Sequence, residues 1–399
     1  MSFEPAAGSD LVDGVAAVSV VRPADTAAVA ETLQSAADDR LTVVPRGAGT
    51  KLDWGCPPST VDLLVDVSGL DAVLEHAAGD LVVRVQPGVR LAELAKALAP
   101  AGQQLALDEV VPGSTVGGVI STGLAGPRRL LYGSIRDLLI GVTVVRADGK
   151  VTHSGGKVVK NVAGYDLGKL YTGAYGTLGV VTEAIFRLHP VPERAAWVSA
   201  ELPDETALAA AVAGVLDSQV VPSAVEVCRK TPDAAITVAV LIEGVAPGVP
   251  ARAETIVGLL GAGASVRDDR PSWWGRLPGP TTIKLTAEPA SVARVLAAVR
   301  AAAEATGLAP ELSGSAGAGV LYAGLGDDAD PDAVRRLVEA LRRACAAADG
   351  AAVVLRAPAA VRAVVDPWGP VAGLALMRRL KAEFDPQHRL SPGRFVGGI

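Results

Sequence analysis

The stretch Pro112–Asp137, PGSTVGGVISTGLAGPRRLLYGSIRD, decides how the rest of the chain is read. Five glycines lie in it, Gly113, Gly117, Gly118, Gly123 and Gly126, with Ser114, Thr115, Ser121 and Thr122 between them. A backbone so free of side-chain bulk can approach a ligand closely and offer it many N–H and hydroxyl donors. That suits an anion such as a pyrophosphate. A single Gly/Ser/Thr cluster is ordinarily a turn, so the weight comes from two further stretches.

In Val43–Leu52, VVPRGAGTKL, an apolar strand ends at Pro45 and is followed by Arg46, Gly47, Ala48, Gly49, Thr50 and Lys51. Two glycines beside two cations again suit phosphate, although solvated loop charges are the common alternative for such cations. In Lys160–Glu183, Gly176, Thr177, Leu178 and Gly179 open a strand of β-branched residues at Val180. Three such loops, each on the end of a strand, imply one extended ligand. The usual nucleotide fingerprints are missing, since Leu52 stands where a third glycine would follow Gly47 and Gly49, and GxxxxGK[ST] does not occur.

In this order and spacing, PRGAGT, PGSTVGG, YGSIRD and YGTLGVVTE resemble the FAD-binding PCMH-type domain of the vanillyl-alcohol-oxidase superfamily. The resemblance spans residues 10–192. Within the superfamily, GPRRLLYGSIRDLLIGV and KNVAGYDLGKLYTGAYGTLG look most like the smaller FAD-binding subunits of bacterial glycolate oxidases. The resemblance implies FAD contacts from Arg46 to Lys51, from Pro112, Gly113, Ser114, Thr115, Gly117, Gly118, Thr122 and Gly123, from Arg136 and Asp137, from Gly176 to Val180, and from Arg394 in the tail. The amides that open a helical turn after Gly117 and Gly118 are expected to point at the ligand. Some relatives attach the flavin covalently through a histidine between positions 123 and 133, and this chain has none there, so noncovalent FAD is expected. Arg128 and Arg129, in that segment, read as surface or subunit-contact residues or as cofactor contacts.

The expected fold class is α+β: a two-lobed FAD-binding domain over residues 10–192, an α+β cap over 193–365 in which a strand and helix pattern recurs, and a C-terminal segment over 366–399 that returns to the flavin domain. Within the first of these, Ile135–Ala147 reads as one strand. Half of the residues are apolar, which is ample for two or three cores. No apolar run approaches the roughly 18 residues of a spanning helix, and the N-terminus carries no secretory pattern. A cytoplasmic protein is expected, held at the inner face of the membrane only through partner subunits. Cys56, Cys228 and Cys345 fit neither a disulfide framework nor an iron–sulfur or zinc spacing. With 37 basic and 43 acidic residues well mixed, nothing points to nucleic acid.

The resemblance implies oxidation of an alcohol carbon beside a carboxylate, with hydride passing to the flavin while a base takes the hydroxyl proton. Relatives acting on 2-hydroxy acids use histidines and a glutamate around a metal. His76, His153, His189 and His388 are scattered here, so no metal is expected and the catalytic base is unassigned. Tyr165 and Lys160 stand in reserve, and Arg276, at the end of the aromatic run Trp273–Trp274–Gly275–Arg276, or Arg394 could hold a substrate carboxylate. Two readings remain. The chain is either a flavin-dependent 2-hydroxy-acid oxidoreductase in its own right, or a flavoprotein subunit working with a larger FAD-binding catalytic subunit and an iron–sulfur subunit.

Overall fold

The computed structural model describes residues 3–157 and 165–399. The chain divides into two units: Met1–Ala125, Gly133–Val191 and Pro370–Ile399 form the first, and Gly126–Tyr132 with Pro192–Gly369 the second.

The first unit is built on two main sheets. One runs Glu4–Pro5, Ser19–Val21, Leu63–Asp66, Val43–Arg46, with the last three strands mutually parallel. Val43, Val44 and Leu63–Val65 are all buried, as expected of parallel strands covered on both faces. The helix Thr26–Asp38 lies in the same core. Asp25 starts it by accepting from the Ala28 amide, and Val29, Leu33 and Ala36 then fall on one buried face. The second sheet is antiparallel, in the order Val151–Gly155, Leu139–Val145, Val180–Arg187, Val82–Val85, Val73–Ala77. Its core includes Leu91, Leu94 and Leu98 from the helix Leu91–Leu98 and Val116, Val119 and Ile120 from the helix Val116–Thr122.

The expected single strand over Ile135–Ala147 is a short helix, Ile135–Leu138, followed by the strand Leu139–Val145. The sequence SIRD is a capping box. The Asp137 carboxylate accepts from both the amide and the hydroxyl of Ser134, each at 2.8 Å, and this local satisfaction of helix donors wins over the β-branched pattern that follows.

The second unit repeats one motif. Arg194–Leu202, Glu205–Leu216, Ala224–Arg229, Ile236–Gly244, Val249–Leu260 and Ser265–Arg267 give strand, helix, strand, strand, helix, strand. Thr281–Thr286, Val292–Thr306, Glu311–Ser315, Val320–Leu325, Pro331–Ala346 and Ala352–Arg356 give it again. Each set pairs its strands in the spatial order fourth, first, third, second, the split βαβ arrangement. The two sets join through Ala224–Arg229 and Glu311–Ser315 into one antiparallel sheet of eight strands. The four helices share one face of that sheet, burying residues such as Val225, Val238, Ile283 and Leu321. Gly126–Tyr132 lies with this unit because Leu130 packs on its core and the Arg129 guanidinium donates to the Tyr322 hydroxyl at 3.2 Å. The first unit is therefore interrupted between Ala125 and Gly133. Among the described residues, no helix is long and apolar enough to cross a membrane.

Candidate functional site

Four segments of the first unit converge on one cleft: the end of the strand Val43–Arg46 with the loop Gly47–Leu52, the helix Val116–Thr122 with Thr115 before it, the turn Tyr175–Gly179 leading into Val180–Arg187, and the tail at Ser391 and Arg394. The space between these segments is about 770 Å³, part of it open solvent.

Its donors are of two kinds. Among the described residues, the successive amides of Gly47, Ala48, Gly49, Thr50 and Lys51 donate to no protein acceptor. Gly49, at φ +75°, bends this run into a concave row of N–H groups. The second kind is cationic. Lys51 is buried, and among the described residues its ammonium donates to hydroxyls, Ser114 Oγ at 2.7 Å and Thr50 Oγ1 at 3.0 Å, with the Glu109 charge offsetting part of the cost of burial. Burial pushes it down to about 8. Arg394 is 4% exposed, gives Nη2 to the Trp54 carbonyl at 3.0 Å, and leaves Nη1 without a partner. Its pKa is lowered, again by burial. Two buried cations with neutral partners beside a row of free amides fit an anion carrying more than one charge.

Arg46 also lines the cleft, but its charge is already matched. It donates to Asp10 at 2.8 Å and to Asp66 at 2.7 Å, so it acts as a brace for the strand end rather than as a free cation. The helix amides are likewise spent, contrary to expectation. Val116 N–H bonds the Val89 carbonyl, Gly117 N–H the Pro87 carbonyl, and Gly118 N–H the Thr115 hydroxyl. The glycines there serve packing, since a Cβ on Gly117 would lie 2.7 Å from Pro87 Cβ and one on Gly47 2.5 Å from Thr115 Oγ1.

Of the other residues expected in the site, Ala48, Thr115, Gly118, Thr122, Gly176, Gly179 and Val180 line the cleft. Ser114 lies beneath, holding Lys51. Pro112 and Gly113 stand outside the lining, where the Gly113 amide bonds Glu109. Gly123 is the left-handed cap of its helix at φ +63°. Arg136 is exposed and Asp137 is committed to Ser134. Leu178 is in the apolar core, and Thr177 bonds the Ala174 carbonyl through its hydroxyl. Sequence reasoning missed Tyr175 and Ser391, both in the lining at positive φ, +55° and +45°. Neither residue type announces that conformation. The titratable groups of the lining are Arg46, Lys51, Tyr175 and Arg394. Burial holds the Tyr175 phenol above its ordinary range, so it is a poor base.

The remaining candidates lie elsewhere. Tyr165 is 92% exposed, while Lys160 and the segment 161–164 fall outside the described residues. His76 pairs with Gln103, His153 with Thr143, and His388 is an exposed turn residue. Among the described residues, no group of three or more His, Cys, Asp or Glu could hold a metal ion. In the second unit, Trp273 and Arg276 border a shallow recess with Lys230 and Glu311, which are paired at 2.6 Å. On the sheet face away from the helices, Lys284 is the cross-strand neighbour of Tyr322, whose hydroxyl takes the Arg129 bond. Burial, then the nearby Arg129 charge, pushes Lys284 down to about 8. Arg129 is thus a half-buried residue bonded within this unit.

Residues 17–155 match the family described as FAD binding domain, and residues 366–395 the one described as FAD linked oxidases, C-terminal domain. The chain is 36% identical over 209 residues to glycolate oxidase subunit GlcD of Bacillus subtilis, covering 52% of this chain and 44% of that protein. It is 35% identical over 197 residues to glycolate oxidase subunit GlcE of Escherichia coli, covering 49% and 55%. A D-lactate dehydrogenase of Archaeoglobus fulgidus is 34% identical over 171 residues, covering 43% and 38%. The chain spans about half the length of the curated relatives it matches. In fold, it is similar to alkyldihydroxyacetonephosphate synthase, with a TM-score of 0.70 at 17% identity over 95% of this chain and 76% of that one.

Proposed function

We propose that this chain, which belongs to the FAD-linked oxidases with a PCMH-type FAD-binding domain and has FAD as its cofactor, is the FAD-binding subunit of a complex that oxidises glycolate or a similar small 2-hydroxy acid to the 2-oxo acid. The observation that carries the cofactor's placement is the cleft's donor set: five free amides, Lys51 and Arg394 are what a diphosphate requires. FAD when bound supplies the acceptor for the hydride that leaves the hydroxyl-bearing carbon.

This chain's residues do the rest in a definite division. The Gly47–Lys51 loop and Arg394 bind and orient the diphosphate without a covalent link. Thr115 and Pro87 shape one wall of the cleft that would hold it. In the second unit, the half-buried Arg129 and Lys284 are cations of the kind that hold a carboxylate. The hydroxyl proton needs a base within about 3 to 3.5 Å of the reacting atoms. The cleft's own titratable groups are three cations and a phenol held neutral, which favours a subunit whose substrate oxidation depends on a larger partner flavoprotein, with an iron–sulfur subunit as electron acceptor.

Anaerobic stopped-flow mixing of the isolated FAD-loaded chain with millimolar glycolate tests the reading. Slow or absent bleaching alone, and fast bleaching once the neighbouring subunits are present, is the expected result. Complete bleaching by the isolated chain at about 1 to 10 per second, the range of competent enzymes, would make it an autonomous oxidoreductase.

A further inference from the structure

A buried ion pair that the chemistry above does not use ties together two walls of the cleft. Lys381, in the tail helix Leu374–Phe384, is 1% exposed, and Asp385 just after that helix is 0% exposed. The Lys381 ammonium has three protons and spends all of them: on Asp385 Oδ2 at 2.7 Å, on the Thr177 carbonyl at 2.8 Å and on the Leu390 carbonyl at 2.8 Å. Asp385 Oδ2 also accepts the Leu390 amide at 2.7 Å.

The two carbonyls belong to different walls. Thr177 sits between Gly176 and Gly179, both in the lining. Leu390 precedes Ser391 and Arg394, which form the tail wall. That tail is then stitched to the strand Val43–Arg46, with Val43 N–H on the Arg389 carbonyl and Ser391 N–H on the Val43 carbonyl, each at 2.8 Å. Farther along, Tyr175 stacks on Phe395 at 5.7 Å. A single ammonium therefore fixes the distance between the turn that carries Tyr175 and the tail that carries Arg394.

Buried pairs of this kind add little net stability over apolar groups of the same volume, because desolvation offsets the attraction. What directed bonds supply and apolar contacts do not is a fixed position. We propose that Lys381 and Asp385 are positioning residues for FAD: they set the spacing of the Gly176–Gly179 turn and the Ser391–Arg394 tail, so that removing the pair lowers cofactor affinity without a matching loss of fold. The proposal rests on FAD occupying this cleft and is independent of which alcohol is oxidised.

The test uses the full chain, stripped of flavin, with FAD affinity read by fluorescence titration and fold by thermal melting and near-ultraviolet circular dichroism. Lys381→Met alone leaves a buried carboxylate unpaired and is expected to unfold readily. The informative variant is the double Lys381→Met, Asp385→Leu, which removes both charges together while leaving the Thr177 and Leu390 carbonyls and the Leu390 amide without these bonds. Its melting temperature should lie above that of Lys381→Met, while its Kd for FAD rises about tenfold or more. Leu33→Ala, in the core of the same unit and outside the cleft lining, should do the reverse, lowering the melting temperature with Kd changed far less. Arg394→Met should weaken FAD in the parent but much less in the double variant, since an unpositioned guanidinium has little to lose. A double variant that binds FAD with the parent's Kd would overturn the proposal. If Lys51→Met leaves the parent's Kd unchanged, the placement of FAD in this cleft fails first, and the proposal falls with it.

Discussion

Arg46 and Lys51 stand at the two ends of one loop and meet opposite electrostatic fates. Arg46 enters the loop already paired with Asp10 and Asp66, so its charge is consumed in holding the strand end. Lys51 leaves the loop donating to Ser114 and Thr50, so its charge remains available to a ligand, with burial making it costly until one arrives. Two cations that look alike in a sequence motif thus divide into a structural brace and a binding group. The difference is carried by distant residues, since Asp10, Asp66 and Ser114 are brought in by other elements.

The largest expected effect follows from the brace. Arg46→Met removes the cation that bonds both Asp10 and Asp66 and should lower the stability of the chain, with little change of FAD affinity in the fraction that remains folded. Chemical denaturation with and without FAD checks it. Lys51→Met should show the mirror image, an unchanged or raised stability and a Kd for FAD weaker by about 30- to 100-fold, corresponding to the 2 to 3 kcal/mol of a charge-assisted bond. Similar Kd values for the two variants would erase the distinction between them.

The pH dependence sharpens the same contrast. In the flavin-free chain Lys51 titrates near 8, below its ordinary value of 10.5, so the unfolded state binds more protons between these limits. Stability should therefore rise with pH from about 8 to 10.5 in the parent and not in Lys51→Met, a difference that melting curves at matched ionic strength will show. FAD affinity should fall over the same window, because the ammonium must be re-protonated to meet the diphosphate.

Smaller effects are expected from the glycines. A side chain at Gly118 would point toward Thr115 Oγ1 and Lys51 Nζ, 3.3 and 3.7 Å from a Cβ, so Gly118→Val should lower FAD content by crowding the anion position. Gly307→Val, at a left-handed helix end of the second unit with no neighbour within 4 Å, should strain that turn by about 1 to 2 kcal/mol and leave FAD content alone. Equal flavin occupancy in the two purified variants would remove the Gly117–Gly118 loop from the site. Least of all should Arg136→Ala act, since that side chain is exposed and outside the cleft lining.

Much of this was legible along the chain because it depends on local chemistry. Glycine and small hydroxyl residues at strand ends marked the PRGAGT loop and the turn before Val180, and both line the cleft. Periodicity marked the helices of the second unit, where Val334, Leu337, Val338, Leu341 and Cys345 make one buried stripe. Reading failed where two local signals competed, as in Ile135–Ala147, whose capping box was overlooked beneath β-branched residues. It also failed at Glu311–Ser315, a central strand of small polar residues without alternation.

The sequence by itself determined the composition of the anion site, because only glycine loops with adjacent cations combine free amides with positive charge at so little bulk. Only the tertiary structure decided which cation is free, which amides are already bonded, and that Tyr175, Ser391 and Lys381 belong to the cleft. Those outcomes hang on partners as far off as the 340 positions that separate Trp54 from Arg394, and no local pattern encodes a neighbour that folding alone brings within hydrogen-bond distance.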